Sequence, residues 1–265
     1  MKIICKGVLN IVKTHIKNRI MMTKKISMSL FLVLAAVSTL FAQKDVFKTF
    51  RFGIYTGPTF NSLRPVANEA DGYTIDKIKN NVGFSIGLCA DYNINERYTV
   101  FSGISLDWRG GTLAVKDKDS SVQSGYIYKN EVKYKLQYLT VPIGLKMKAA
   151  QFDKIKIFAQ TGIDMGFLLS QKGDIASTVT PGVNLPSLTK VKLGSLAKST
   201  PINMGWMLGV GAEYELTEKN SVFFTLLYRN GFTDVTTPQL NPSGSKFSDG
   251  NIRLNTIALR LGYYF

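Results

Sequence analysis

The chain is 265 residues long and carries 33 Lys+Arg against 18 Asp+Glu, a formal charge of +15. A hydrophobic content of 45% excludes wholesale disorder, and two cysteines exclude a disulfide-dense scaffold. The charge hints at nucleic acid or an anionic surface until its distribution along the chain is followed.

The N-terminus reads as a targeting segment. Lys24 and Lys25 precede an apolar run from Ile26 to Phe41 that ends Leu40-Phe41-Ala42-Gln43, which describes a secretory signal peptide over 1–42 cleaved after Ala42. The run is shorter than the roughly 20 residues of a membrane-spanning helix. The basic stretch before Met21 reads as an over-extended start. Residues 1–42 hold seven of the basic residues, His15 and Cys5, and no acid. The remaining segment, 43–265, is expected to be the folded domain. It has a net charge of +8, no histidine and one cysteine, Cys89.

Along 43–265 the pattern is period-2 alternation, the mark of strands with two unlike faces. Phe50, Phe52 and Ile54 oppose Arg51, Gly53 and Tyr55. From Val82, the residues Phe84, Ile86, Leu88, Ala90 and Tyr92 oppose Gly83, Ser85, Gly87, Cys89 and Asp91. From Tyr98, Val100, Ile104, Leu106 and Trp108 oppose Thr99, Gly103, Ser105, Asp107 and Arg109. The stretch 132–147 changes phase near Tyr138-Leu139, which predicts a bulge there, with Tyr134 and Leu136 on the same face as Leu139, Val141 and Ile143. From Ile155 the polar face carries Lys156, Gln160, Gly162 and Asp164; from Ile202 it carries Asn203, Gly205, Gly209, Gly211, Glu213 and Glu215. Val222, Phe224, Leu226 and Tyr228 oppose Ser221, Thr225 and Arg229, with Phe223 and Leu227 interrupting the polar face. The last segment sets Leu259, Leu261, Tyr263 and Phe265 against Ala258, Arg260, Gly262 and Tyr264.

Long connections at about 61–80, 110–131, 170–201 and 233–251 alternate with short ones at about 94–97, 148–153 and 217–220. The fold predicted is all-β: an eight-stranded antiparallel up-and-down barrel. A soluble barrel of this kind buries its apolar face. Here the apolar face is continuous and carries aromatics near its ends (Tyr92, Tyr98, Trp108, Tyr214, Tyr228, Tyr263), which fits a lipid-facing exterior with a polar interior. The barrel is therefore expected to be transmembrane, in a bacterial outer membrane, with short periplasmic turns and long extracellular loops.

The C-terminal Arg260-Leu261-Gly262-Tyr263-Tyr264-Phe265 resembles the terminal signal of outer-membrane barrels, which implies that Gly262, Tyr263 and Phe265 are read by the barrel-assembly machinery. The stretch from Leu136 to Lys146, Leu-Gln-Tyr-Leu-Thr-Val-Pro-Ile-Gly-Leu-Lys, with the Phe-Ala-Gln signal ending, is similar to the PorT-like outer-membrane β-barrel family of Bacteroidetes. That resemblance implies a small barrel, and for PorT itself a place in a protein-secretion (type IX) machine.

Without histidine, a Ser-His pair, His-assisted attack by water and His-containing zinc sites are all removed, and one cysteine makes no metal site. No enzyme, metal or cofactor is expected. Glu213 and Glu215, about 6.5–7 Å apart along a strand, keep open a carboxylate-only glycan-processing alternative. The reading preferred for the polar face is an interior ion-pair network of Arg51, Asp91, Asp107, Arg109, Asp164, Glu213, Glu215, Arg229 and Arg260, with Arg51–Glu213 or Arg260–Glu213 as its specific contact. Lys133 and Lys135 are placed in the same interior at the outer rim. The glycines of that face are expected to leave room for long side chains opposite. The function expected is that of a non-enzymatic envelope barrel with a plugged interior, in a structural, adhesion or narrow porin-like role; the alternative is an accessory subunit of an envelope machine. The partners expected are outer-membrane lipid, the assembly machinery and envelope proteins. Nucleic acid is not, because no basic patch interleaved with stacking aromatics is present.

Overall fold

The computed structural model describes residues 50–66, 69–70, 73–117, 127–180, 183–184, 187–192, 199–218, 220–236, 239–240, 246–247 and 251–265. The segment read from sequence as a signal peptide, 1–42, lies outside the described residues. Eight long strands follow the alternating segments: β1 (Phe50–Pro65), β2 (Asn81–Asn93), β3 (Tyr98–Asp117), β4 (Ile127–Phe152), β5 (Ile155–Thr180), β6 (Ile202–Glu215), β7 (Ser221–Gly231) and β8 (Ile252–Tyr264). Each pairs antiparallel with its chain neighbours, except that the 1–2 through 7–8 ladder is closed by β1 against β8. Closure leaves no unpaired barrel edge.

The short turns are built by local chemistry. Asn95 Oδ1 accepts hydrogen bonds from the backbone N–H of Arg97 at 2.9 Å and Tyr98 at 2.8 Å, closing the β2–β3 turn as an Asx turn. The β4–β5 hairpin needs only Asp153 and Lys154, with Asp153 at φ 49°, a left-handed value that short hairpin turns require and Asp tolerates.

The two faces separate cleanly through the lower barrel. Ile54, Phe84, Leu88, Ile104, Ile143, Ile163, Leu208, Val210, Leu226 and Leu261 are exposed on the outside, while the alternate positions are buried. On β2 the exposed apolar run from Val82 to Tyr92 covers roughly 25 Å of height once a strand tilt near 40° is allowed for, the thickness of a lipid-facing belt. Aromatic pairs mark its margins: Phe50–Tyr92, with centroids 4.8 Å apart, at the turn side, and Phe84–Trp108 at 6.3 Å and Trp206–Tyr228 at 5.7 Å at the opposite side. These are the girdles that amphipathic rings form at the two membrane–water interfaces.

Above the upper girdle the sheet continues. β4 and β5 run 26 residues each and stay paired from Phe152–Ile155 to Ile127–Thr180, although a membrane strand needs only about 9–11 residues. A strand at Tyr73–Lys79 pairs with the upper part of β3, and one at Leu188–Lys192 with β5. Much of what the sequence suggested were loops at 110–131 and 170–201 is thus continuous sheet standing outside the bilayer.

This extension corrects the expected phase change in β4. An irregularity does fall at Gln137/Tyr138, but the extra residue is on the partner strand: Gln137 faces Ser170, and Tyr138 faces Leu168. β4 itself keeps its alternation. Val132, Tyr134, Leu136, Tyr138 and Thr140 are all buried, and Lys133 and Lys135 are exposed outside, not in the lumen. What changes near Tyr138 is the surroundings. Beside lipid the outside must be apolar; above it the outside meets water and the inside becomes a small apolar core. That core joins Leu63, Leu113, Val132, Tyr134, Leu136 and Tyr138 with Val235, Ile252 and Leu254.

Candidate functional site

Enclosed by the eight strands, the lumen holds two charged layers with aromatic and aliphatic side chains between and above them. In the lower layer, Arg51 on β1 donates from Nη2 to Glu213 Oε1 on β6 at 2.5 Å and to Ser221 Oγ at 2.8 Å, and Ser221 Oγ in turn donates to Glu213 Oε1 at 2.8 Å. Lys146 on β4 donates to Asp91 Oδ2 at 2.6 Å and to Tyr264 Oη at 2.8 Å. Lys156 pairs with Glu215 at the rim. The Arg51 guanidinium lies 4.3 Å from the centroid of the Tyr264 ring. Placing these charges on the lumen face of a closed barrel requires that they be paired, since an isolated buried charge is far costlier than an ion pair.

The upper layer centres on Asp107 of β3. Its carboxylate accepts from Ser85 Oγ at 2.5 Å, Thr140 Oγ1 at 2.8 Å, Arg229 Nη1 at 2.8 Å, and Arg109. Arg109 also reaches Asp164 at 3.4 Å, and Arg229 stands 3.9 Å from the same carboxylate. Two guanidiniums and two carboxylates therefore close into one cluster, with all four side chains almost fully buried.

Arg260 is placed differently from the alternative suggested by sequence. Its guanidinium lies over the Tyr55 ring, 4.3 Å from the centroid, rather than against Glu213, and its Nε and Nη2 have no hydrogen-bond partner among the described residues. The reason is vertical position. Arg260 pairs in register with Thr225, whereas Glu213 lies opposite Phe223, two residues further down β7, and turns its carboxylate to Ser221 and Arg51 below it. The basic partners Lys146 and Lys156 complete the lower layer. Lys146 was legible, because it occupies the alternate positions between Leu145 and Met147 and so had to face inward.

The interior is less polar than the alternation suggested. Phe101, Met207, Leu227 and Ala258 form a buried apolar layer between the charged ones, and Tyr55, Phe223 and Tyr264 pack together with Cys89 beside them. The lumen glycines accommodate these rings. A Cβ on Gly262 would lie 2.2 Å from Phe223 Cζ, and one on Gly211 would lie 2.4 Å from Phe158 Cζ. Of the C-terminal residues, Gly262 is buried under Phe223, Tyr263 faces outward, and the backbone N–H of Phe265 donates to the Phe52 carbonyl at 2.9 Å, next to the β1–β8 closure.

Residues 41–237 match a family described as outer membrane protein beta-barrel domain. No curated protein matches the chain. Solved structures that align with it include Ail, the attachment invasion locus protein of Yersinia pestis, at 16% identity over 82% of this chain and 99% of that one, TM-score 0.33. They also include OprG of Pseudomonas aeruginosa, at 13% identity over 82% and 96%, TM-score 0.39, and outer membrane protein W of E. coli, at 14% over 82% and 98%, TM-score 0.34. The chain belongs to the outer-membrane protein β-barrel family, and its place is the bacterial outer membrane.

Proposed function

We propose that the protein is a non-enzymatic envelope barrel whose lumen is sealed and whose work is structural or adhesive, done by the sheet it raises above the bilayer. The observation that carries this reading is that direct contacts cross the lumen at two levels. Asp107 on β3 meets Arg229 on β7, and Lys146 on β4 meets Tyr264 on β8; each pair of strands stands four steps apart around the ring of eight. Eight-stranded barrels are just wide enough for side chains to fill, and here they do so with ion pairs, rings and an apolar cap.

The same geometry weighs against a glycan-processing role for Glu213 and Glu215, because each carboxylate is held by a cation, Arg51 and Lys156 respectively. The alternative reading is the PorT-like accessory role that the stretch from Leu136 to Lys146 suggests by resemblance. Purification in mild detergent tests the choice: a solitary, heat-modifiable barrel is expected, and stable co-purification of other envelope proteins would favour the accessory role.

A further inference from the structure

Lys135 and Lys172 stand directly opposite each other on β4 and β5, both exposed on the outer wall. Like charges in that position repel. Lys133 lies two residues further up β4, facing Asp174 in register, and is exposed as well. Asp174 is the acid at hand, but it is taken by Lys135, whose Nζ donates to it at 2.6 Å, and by the backbone N–H of Lys190 at 2.9 Å. Lys133 and Lys172 make no ion pair among the described residues.

These lysines border a groove of about 420 Å³ whose lining also includes Val82, Trp108 and Gln137. Val82 is 66% and Trp108 40% exposed, and both belong to the upper end of the lipid-facing belt. In register, Trp108 faces Gln137, and Lys135 is the next outward residue above Gln137, roughly 7 Å higher along the strand. The groove thus has an apolar floor at the membrane interface and a cationic upper wall at headgroup level, and among the described residues two of its three ammonium groups, those of Lys133 and Lys172, make no ion pair.

We propose that this groove binds a phosphorylated glycolipid of the outer leaflet, of the lipid A class, with its phosphates between Lys133, Lys135 and Lys172 and an acyl chain along Val82 and Trp108. An amphiphile fits where a soluble polyanion does not, because the apolar half of the groove opens onto lipid. The proposal does not depend on the lumen being sealed.

The test is titration of diphosphoryl lipid A into the full barrel domain in detergent micelles, followed by native mass spectrometry and by Trp108 fluorescence in a Trp206→Phe background. Saturable binding of a single lipid is expected, weakened about thirtyfold in Lys133→Gln/Lys172→Gln, on the basis of two headgroup-level lysines. Lys154→Gln, in the turn at the opposite rim, should bind as the parent does. The lysine variants remove exposed side chains that make no ion pair among the described residues, so an unchanged heat-modifiable gel shift will verify their fold. Equal binding by the parent and the double variant, equal binding of fully dephosphorylated lipid A, or displacement by millimolar inorganic phosphate would each overturn the proposal.

Discussion

Asp107 and Arg229, 122 residues apart in the chain, meet at 2.8 Å across the full width of the barrel. The contact joins strands on opposite sides of the ring, and it is embedded in a cluster whose other members, Arg109, Asp164, Ser85 and Thr140, come from β2, β3, β4 and β5. A pair that spans a lumen in this way does two things. It neutralises charge that the polar face of the strands brings inside, and it fills the space through which solutes would pass.

The cluster should therefore be sensitive to loss of its shared carboxylate. Asp107→Ala leaves two buried guanidiniums short of their acceptor and is expected to lower unfolding stability by about 3–5 kcal/mol, measured by urea denaturation in lipid vesicles. Lys79→Ala, which breaks the exposed pair with Glu131 (3.0 Å), should change it by less than about 1 kcal/mol. Similar costs for the two variants would remove the buried cluster as a source of stability.

Gly262 gives a prediction about packing. Gly262→Ala forces a Cβ to within 2.2 Å of Phe223 Cζ, and overpacking of this kind costs about 1–3 kcal/mol. Phe223→Leu in the same chain should recover part of that loss, since it removes the ring that the new methyl meets while the Ile54 carbonyl, 2.7 Å from the same Cβ, remains. If the two substitutions add without coupling, the ring is not what requires glycine.

The chain's two tryptophans, Trp108 and Trp206, both face outward at the upper girdle, beside Phe84 and Tyr228 respectively. Lipids brominated close to the headgroup should quench their fluorescence more strongly than lipids brominated near the chain ends. Weak quenching by both would place the girdle away from the interface.

Outside the bilayer, Asp174 supplies a pH-dependent contact. The hydrogen bond from Lys135, and then that from the Lys190 backbone, hold its carboxyl below the usual carboxylate range of about 4. A carboxylate whose pKa is lowered on folding stabilises the folded state fully above its unfolded pKa and loses that contribution as pH falls through the folded value. The protection of the Lys190 amide, its exchange rate divided into the intrinsic rate at each pH, should fall as the pH is taken below about 4, and Asp174→Asn should abolish that change. Protection that is flat across this range would mean the contact does not order the β5 edge.

Most of the barrel was legible because lipid imposes the simplest of patterns: outward residues mainly apolar, inward residues mainly small or polar. Val82 to Tyr92 and Leu208 to Tyr214 could be read residue by residue. Tyr134, Leu136, Lys133 and Lys135 could not, because above the membrane the rule inverts, and alternation alone does not say which face meets water. Interior packing was partly hidden for another reason. Phe101, Phe158 and Phe223 sit on a face dominated by glycine and charge, and only the three-dimensional register shows that the glycines lie under those rings. Strand direction put both Arg51 and Arg260 toward the rim of Glu213, and it took the register to show that Arg51 meets it while Arg260 lies over Tyr55.

The sealed lumen is the centre of the account, and single-channel recording in planar bilayers tests it most directly. Purified barrel domain reconstituted at high protein-to-lipid ratio in 1 M-class salt should give no stepwise conductance, because Asp107–Arg229 and Lys146–Tyr264 close the lumen at two levels beneath the apolar cap. Reproducible conductance steps from the unmodified protein, abolished by heat denaturation, would contradict it.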